Sequence, residues 1–442
     1  MRTIELPEKV SSIIETLQDA GFEAFAVGGC VRDSLLEKPP HDWDITTSAL
    51  PEQVKKLFRR TVDTGIAHGT VSVLLGKEAY EVTTYRIDGD YTDRRHPDQV
   101  TFTENLKEDL KRRDFTINAM AYSARDGVVD LFGGMEDLEK GIIRAVGVPQ
   151  ERFGEDALRI LRAVRFSAQL DFVIEEETFR AAEALSGTMQ DISAERIRDE
   201  LLKILLSDHP ERLAVCYQTG MTAVFLPEFD AMMQTPQNTV HHCYDVGTHT
   251  VESIRQIRPD PVLRLAMLFH DTGKPSSRTT DAEGRDHFYG HPVKSAEITE
   301  KALRRLKFDN ETIRRVAQLV RWHDENPRLT KESVRRAIVK CGQEAFPALF
   351  EVKEADTLSQ SEYRRQEKLD YIRAYEQLYR EIMKSGDCLS VKDLAVKGAD
   401  LMAAGVKPGP ELGEILQKLL DLVLTDPSLN TKEQLLACRE KL

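Results

Sequence analysis

Two aspartates one residue apart, Asp42 and Asp44 in HDWDITT, are the first chemical feature of this 442-residue chain. Side chains alternate along a β-strand, so both carboxylates would fall on one face and converge. Hard divalent cations such as Mg2+ take oxygen ligands and are held by one or two carboxylates plus a substrate phosphate. Just upstream, the apolar run FEAFAV meets Gly28-Gly29 and then the helix-like CVRDSLL. Two residues without Cβ where a strand hands over to a helix let backbone N–H groups approach phosphate oxygens. A phosphate cradle beside a carboxylate pair is the equipment of nucleotide chemistry. Glu81 shares one face of the alternating run YEVTTYR with Thr83 and Tyr85 and is a candidate third carboxylate.

A second group, Glu155, Asp156 and Arg159, stands at i, i+1 and i+4, so in a continuous helix both acids reach the arginine. Cytosine and adenine each present an amine donor beside an unprotonated ring nitrogen, whereas uracil and guanine present a carbonyl beside a ring N–H. An Asp that accepts from the amine while an Arg donates to the ring nitrogen therefore selects C and A.

A third group is rich in histidine. Seven of the eleven histidines fall between His241 and His323, where even scatter would place about two, and such clustering points to a metal site. RLAMLFHDTGKP sets His270 and Asp271 side by side at the end of an apolar helix.

These groups need elements to hold them. Val10, Ile13, Ile14 and Leu17 have helical spacing, and Gly21 ends that pattern before FEAFAV begins. Strand-like runs follow at 44–47, 70–75, 80–86 and 127–132, with helical segments at 51–58 and 105–111. The pattern predicts an α+β fold: a mixed sheet with helices over residues 1–148, then an all-helical remainder from Glu155 onward. Within that remainder, 227–242 and 385–413 read as loops. Residues 87–104, charged and poor in apolar anchors, read as a mobile loop.

GGCVRD (28–33), DWDIT (42–46), EVTTYR (81–86), RRDFTINAMAYS (112–123), EDALRILRAVRF (155–166) and ERIRDELLKIL (195–205) resemble, in order, the motifs of the class II tRNA nucleotidyltransferase and bacterial poly(A) polymerase family. The resemblance implies a DNA polymerase β-like nucleotidyltransferase head (1–148), a helical neck that reads the incoming base (149–232), a body (233–380) and a tail that binds tRNA (381–442). It implies addition of CMP and AMP to the tRNA 3′ end from CTP and ATP without a nucleic-acid template. Asp42 and Asp44 would hold Mg2+, with Glu81 as accessory carboxylate. Gly28, Gly29, Arg32, Arg113, Asp114, Asn118, Glu155, Asp156, Arg159, Arg162 and Arg165 would contact the nucleotide. A loop like 87–104 is present in CCA-adding members, where it helps the neck switch from CTP to ATP.

The order His249, His270-Asp271, His291, His323, Asp356 similarly resembles the ligand pattern of the HD phosphohydrolase superfamily. It implies that His249, His270, Asp271 and Asp356 bind one divalent transition metal, with His291 and His323 available to a second. Full CCA, CC-only, A-only and poly(A) addition all remain compatible with these motifs. So does an HD hydrolase regulated by a nucleotide-binding head, although that reading makes Asp42 and Asp44 expendable.

Composition limits the other classes. At 41% hydrophobic and 31% charged the chain can bury sizeable cores, and no apolar run approaches a membrane span. The net charge of −13 argues against a nonspecific nucleic-acid coat while leaving room for a local basic surface. Six scattered cysteines without a CxxC pair fit a reducing compartment, and MRTIELPEKV lacks an export core, so a cytoplasmic location is expected. Nothing in the sequence sets an oligomeric state.

Overall fold

The computed structural model describes residues 3–89, 91 and 99–439, and its contacts divide the chain into two compact units, Met1–Pro227 and Glu228–Leu442.

In the first unit, α1 (Glu8–Asp19) buries Val10, Ile13, Ile14 and Leu17 against β1 (Ala24–Val27). Then come α2 (Gly29–Leu35), β2 (Ile45–Thr47), α3 (Pro51–Leu57), β3 (Thr61–Gly65), β4 (Thr70–Leu75), β5 (Glu78–Thr84), β6 (Arg86–Asp88), β7 (Val100–Phe102), α4 (Leu106–Lys111), β8 (Met120–Ser123) and β9 (Gly127–Asp130). Seven strands form one sheet in the order β3-β4-β5-β2-β1-β8-β9, with β2 and β5 parallel and the other pairs antiparallel. Phe25, Val27, Tyr85, Leu110, Ala119, Ala121 and Val146 form a core beneath it. Burial of these side chains is the main driving force for the layer.

Two expectations need correction in this unit. The stretch 87–104 is not a plain loop at its ends, because β6 and β7 pair through Arg86↔Phe102, Ile87↔Thr101 and Asp88↔Val100. The Asp88 carboxylate is buried there, ion-paired to Arg86 at 2.9 Å and accepting from the Tyr91 hydroxyl at 2.8 Å. Asp90 and residues 92–98 of the expected loop lie outside the described residues. The chain beyond Glu155 is also not wholly helical. After α5 (Gly134–Lys140), β10 (Ile142–Ile143) pairs in parallel with β11 (Val173–Ile174), which follows α6 (Pro149–Glu155) and α7 (Leu158–Leu170). Then come α8 (Glu176–Leu185) and α9 (Ala194–Leu205), and α9 packs on α7.

The second unit is helical. Helices Val246–Gln256, Pro261–Phe269, His291–Arg305, Asn310–Trp322 and Phe346–Ser359 pack on one another. Asp245, Asp260 and Asp309 cap three of them by accepting backbone N–H groups. Helix Pro261–Phe269 has Val262 through Phe269 all buried, which makes it the central element. A two-stranded piece, Thr279–Thr280 with Asp286–His287, interrupts the helices. Residues Pro227–Met233, read as loop, form a helix: proline starts its first turn, and Phe229 and Met232 at i and i+3 are buried. No helix among the described residues is long and apolar enough to cross a membrane.

Candidate functional site

Register brings the head residues together. The β1–β2 ladder pairs Ala26 with Ile45, and one step further the Val27 N–H donates to the Asp44 carbonyl at 3.0 Å. Gly28-Gly29 and the two aspartates therefore share one end of the sheet. On the other side of β2, the parallel register Ile45↔Val82 extends to set Glu81 opposite Asp44. Asp42 and Asp44 precede the hydrogen-bonded strand and are exposed. Partial desolvation pushes the Asp44 carboxyl up from its ordinary value, Arg113 opposes this, and the Asp42 charge adds to it. Two like charges held together on exposed oxygen ligands fit a divalent cation. Asp42, Asp44 and Glu81 do not close into a trio as tight as the clusters of the second unit.

Gly28 adopts φ +84°, and a Cβ there would lie 2.8 Å from Nη1 of Arg113. Only glycine therefore lets the buried Arg113 guanidinium lie against the turn. Burial pushes its pKa down against the pull of Asp109, and its Nη2 is 3.7 Å from an Asp109 oxygen. The same Asp109 accepts from Thr46 Oγ1 at 3.1 Å, so strand β2 and Arg113 share one anchor. Arg32 donates to Asn118 Oδ1 at 2.6 Å. Asn118 donates in turn to Asp114, which Arg162 also contacts. Burial works against its charge, but Arg162 and Asn118 hold the Asp114 carboxyl well below the usual carboxylate range.

Residues 155–159 correct the sequence reading. Helix α6 stops at Glu155, and Asp156 is extended at φ −138°, so 155–159 is not one helical turn. Glu155 takes Arg159 at 2.6 Å and also Arg152, while Asp156 pairs with Arg196 of α9 at 2.8 Å and accepts the Leu158 N–H. Two acid–arginine pairs replace the single shared one. Arg196 was missed as a site residue, although it lies in the ERIRD motif. Phe166 was missed as well: the guanidinium groups of Arg32, Arg162 and Arg165 lie 5.0, 5.6 and 4.1 Å from its ring centre. Arg165 itself is tied to Glu200 at 3.0 Å.

In the second unit the structure brings all six predicted side chains to one place, around Asp271. Its oxygens lie 3.2 Å from His270 Nε2, 3.3 Å from His291, 3.7 Å from His249 and 3.9 Å from His323. Asp356 accepts from His249 at 2.9 Å. His249, His270 and Asp271 form one group able to hold a metal, and Asp271, His291 and His323 another. His270 Nε2 is buried without a hydrogen-bond partner, facing Asp271 Oδ2 at 3.2 Å, and that oxygen is already ion-paired with the Lys274 ammonium at 2.7 Å. Second ring nitrogens donate to carbonyls: His270 to Met267, His291 to Phe288 and His323 to Val320, which orients each Nε2 toward the centre. Burial, with His291 and His270 nearby, pushes His323 down to about 3, so it is neutral and able to ligate at pH 7. Burial works against its charge too, yet His270 and Lys274 hold the Asp271 carboxyl well below the usual carboxylate range. His287 is not in this cluster; it pairs with Asp281 and stacks on Tyr289.

Residues 24–144 match the poly A polymerase head domain, 171–233 the probable RNA and SrmB-binding site of polymerase A, and 293–438 a putative second domain of tRNA nucleotidyltransferase. The CCA-adding enzyme of Lactiplantibacillus plantarum is 38% identical over 431 residues, covering 96% of this chain and 93% of that protein. The chain belongs to the CCA-adding enzyme family of tRNA nucleotidyltransferases. The CCA-adding enzyme of Enterococcus faecalis is 37% identical over 443 residues, covering 98% and 96%. Among solved structures, the CCA-adding enzyme of Bacillus stearothermophilus in complex with CTP matches with a TM-score of 0.73 at 29% identity, over 99% of this chain and 98% of that one. The Thermotoga maritima CCA-adding enzyme complexed with tRNA-CCA shares the fold, with a TM-score of 0.60 at 20% identity over 99% and 96%. In this CCA-adding family member the DxD pair, the glycine turn and the arginines around Phe166 all belong to the first unit.

Proposed function

We propose that this protein completes the 3′ end of tRNA by adding CMP and AMP from CTP and ATP, reading no nucleic-acid template. The observation that carries the proposal is the shared sheet end of Gly28-Gly29, Asp42 and Asp44, within a chain similar over nearly its whole length to CCA-adding enzymes. Asp42 and Asp44 would hold Mg2+, which supplies charge neutralisation for in-line phosphoryl transfer when bound. The chain's own part is positioning. Gly29 would present its backbone N–H and Arg113 a guanidinium to the triphosphate, the Gly28 N–H being taken by the Met120 carbonyl at 3.1 Å, while Arg162 and Asn118 fix Asp114. The Glu155–Arg159 and Asp156–Arg196 pairs hold acceptor and donor groups rigidly for the base edge. Residues 1–148 would act as head, 149–232 as neck, and 381–442 as the tail against tRNA.

The test incubates the protein with tRNAs ending before CCA, after C and after CC, supplying CTP and ATP separately. When the two are then supplied together, growth of all three to the full CCA end is the expected result. Stopping at CC, adding only the last A, or adding long A tails would each replace this reading with a different member activity.

The convergence of six ligand-type side chains on Asp271 favours a second activity, in residues 233–380. We propose a metal-dependent phosphoesterase there: a water oxygen bonds to phosphorus, the ester P–O bond breaks, and the water's proton is released to solvent or the leaving oxygen. His249, His270, Asp271 and Asp356 would hold one ion, and His291 and His323 a second. Metal analysis of purified protein and of His270→Ala tests it. Equal metal content in both would sink the assignment.

A further inference from the structure

A cavity of about 590 Å3, the volume of a small-ligand site, opens in the first unit at the end of the sheet away from Gly28. Glu23 stands just before β1 and Gly28 just after it, and the antiparallel pairing of β1 with β8 brings the β8–β9 turn, with Asp126, to the Glu23 end. The floor is apolar. Phe25 and Val129 of the sheet and Leu106 of α4 line it, all in or against the core beneath the sheet. The rim is acidic: Glu23, Glu104 and Asp126 are exposed along it, and Lys107 is the single cation among the described residues that line it. Arg125, next in the chain to Asp126, is taken by Asp19. These carboxylates are not gathered around one point, since among the described residues only the two groups sharing Asp271 bring three ligand atoms within 4.8 Å. Tyr85 lies directly behind the lining. It is 0% exposed, its carbonyl accepts from the Thr103 N–H at 3.0 Å, and its hydroxyl lies against Glu23 without a hydrogen bond of good geometry. Burial, then the Glu23 charge, pushes the phenol up, so it stays neutral. A buried phenol oxygen without a partner costs free energy that an N–H donor recovers.

We infer that this cavity binds an aliphatic polyamine, with its methylenes on Phe25, Leu106 and Val129, one ammonium between Glu23 and Asp126 over the Tyr85 hydroxyl, and another at Glu104. An ammonium carries three donors and no acceptor, so one group satisfies carboxylates and a phenol oxygen together. Acids set apart around an apolar floor match charges spaced along a hydrocarbon chain. A hard divalent cation instead needs its oxygen ligands gathered at 2.0 to 2.6 Å, roughly, and makes no use of the floor.

Equilibrium dialysis of the full chain with radiolabelled spermidine, in excess Mg2+ to fill the carboxylate sites that take hard cations, tests it. Expected is saturable binding at a single site, with about a tenfold or greater loss of affinity in Glu23→Gln and Asp126→Asn and a smaller loss in Glu104→Gln and Tyr85→Phe. Lys107→Ala should bind spermidine more tightly, a gain that damage to the fold does not produce. Butylamine, with one charge, should bind about tenfold or more weakly than spermidine. CCA addition and melting temperature should stay at wild-type values in the three rim variants, whose side chains are exposed. Equal spermidine affinity in wild type, Glu23→Gln and Asp126→Asn overturns the inference, because binding is then a diffuse attraction to an acidic protein. Absence of saturable binding in excess Mg2+ overturns it too, as does butylamine binding as tightly as spermidine.

Discussion

Arg162 of α7 grips one oxygen of Asp114, with Nε at 2.9 Å and Nη2 at 2.5 Å, while Asn118 and the Phe115 N–H hold the other. Removing the guanidinium leaves a buried carboxylate short of its charged partner. Arg162→Met should therefore cost about 1.5 to 3 kcal/mol of stability, the range for a hydrogen bond to a charged group. Denaturant midpoints check it; a change under about 0.5 kcal/mol would contradict the pairing.

The same pair sets a pH response. The folded-state pKa of Asp114 is depressed, so its contribution is present above the ordinary Asp value of about 4 and is lost only as pH falls through the depressed value. Thermal melts of wild type and Asp114→Asn should differ by a constant amount from pH 5 to 8. A gap that closes within that window would show that the carboxyl titrates normally.

Asp42→Ala and Asp44→Ala should each reduce nucleotide addition by roughly three orders of magnitude, because loss of about 4 kcal/mol of charge stabilisation at the metal corresponds to that factor. Both residues are exposed and lie before the strand ladder, so circular dichroism and melting temperature should stay at wild-type values. Substantial CMP incorporation by either variant would refute the metal assignment.

Base choice should depend on both neck pairs. Arg159→Ala breaks the pair with Glu155, and Arg196→Ala breaks the pair with Asp156. Each should relax the preference for C and A over U and G, measured as relative incorporation of the four nucleotides. A uniform fall in rate with the preference intact would make these pairs purely structural.

Deleting residues 92–98 should leave CC addition working while terminal A addition fails. The β6–β7 ladder and the Asp88–Arg86 pair lie outside the deletion, so the fold survives. A shift of about 1.4 kcal/mol in relative binding already changes the C to A ratio tenfold. Product sizing on a tRNA lacking CCA gives the result, and a normal final A would show the segment to be inert.

The parts of this site legible in the sequence are those set by local geometry. The glycine pair between strand and helix and the helical face of Val10, Ile13, Ile14 and Leu17 follow from local backbone geometry, whereas Asp42 and Asp44 lie just before β2, so strand alternation does not set their orientation. Histidine clustering and the adjacent His270-Asp271 pointed to the region, and the six residues from His249 to Asp356 could be named in order only through the resemblance to the HD ligand pattern. Partners distant in the chain could not be read. Asp156 faces Arg196, forty residues on, because the helix breaks at 156 and α9 packs on α7. Glu81 stands opposite Asp44 only through the parallel register of β2 and β5. Asp271 meets four histidines and lies beside Lys274 because separate helices bury their apolar faces together. Sequence determines what each segment does by its own period. Tertiary packing decides which charges meet, because burial of apolar faces fixes the helices and strands and the polar groups must then pair with whatever lies within reach.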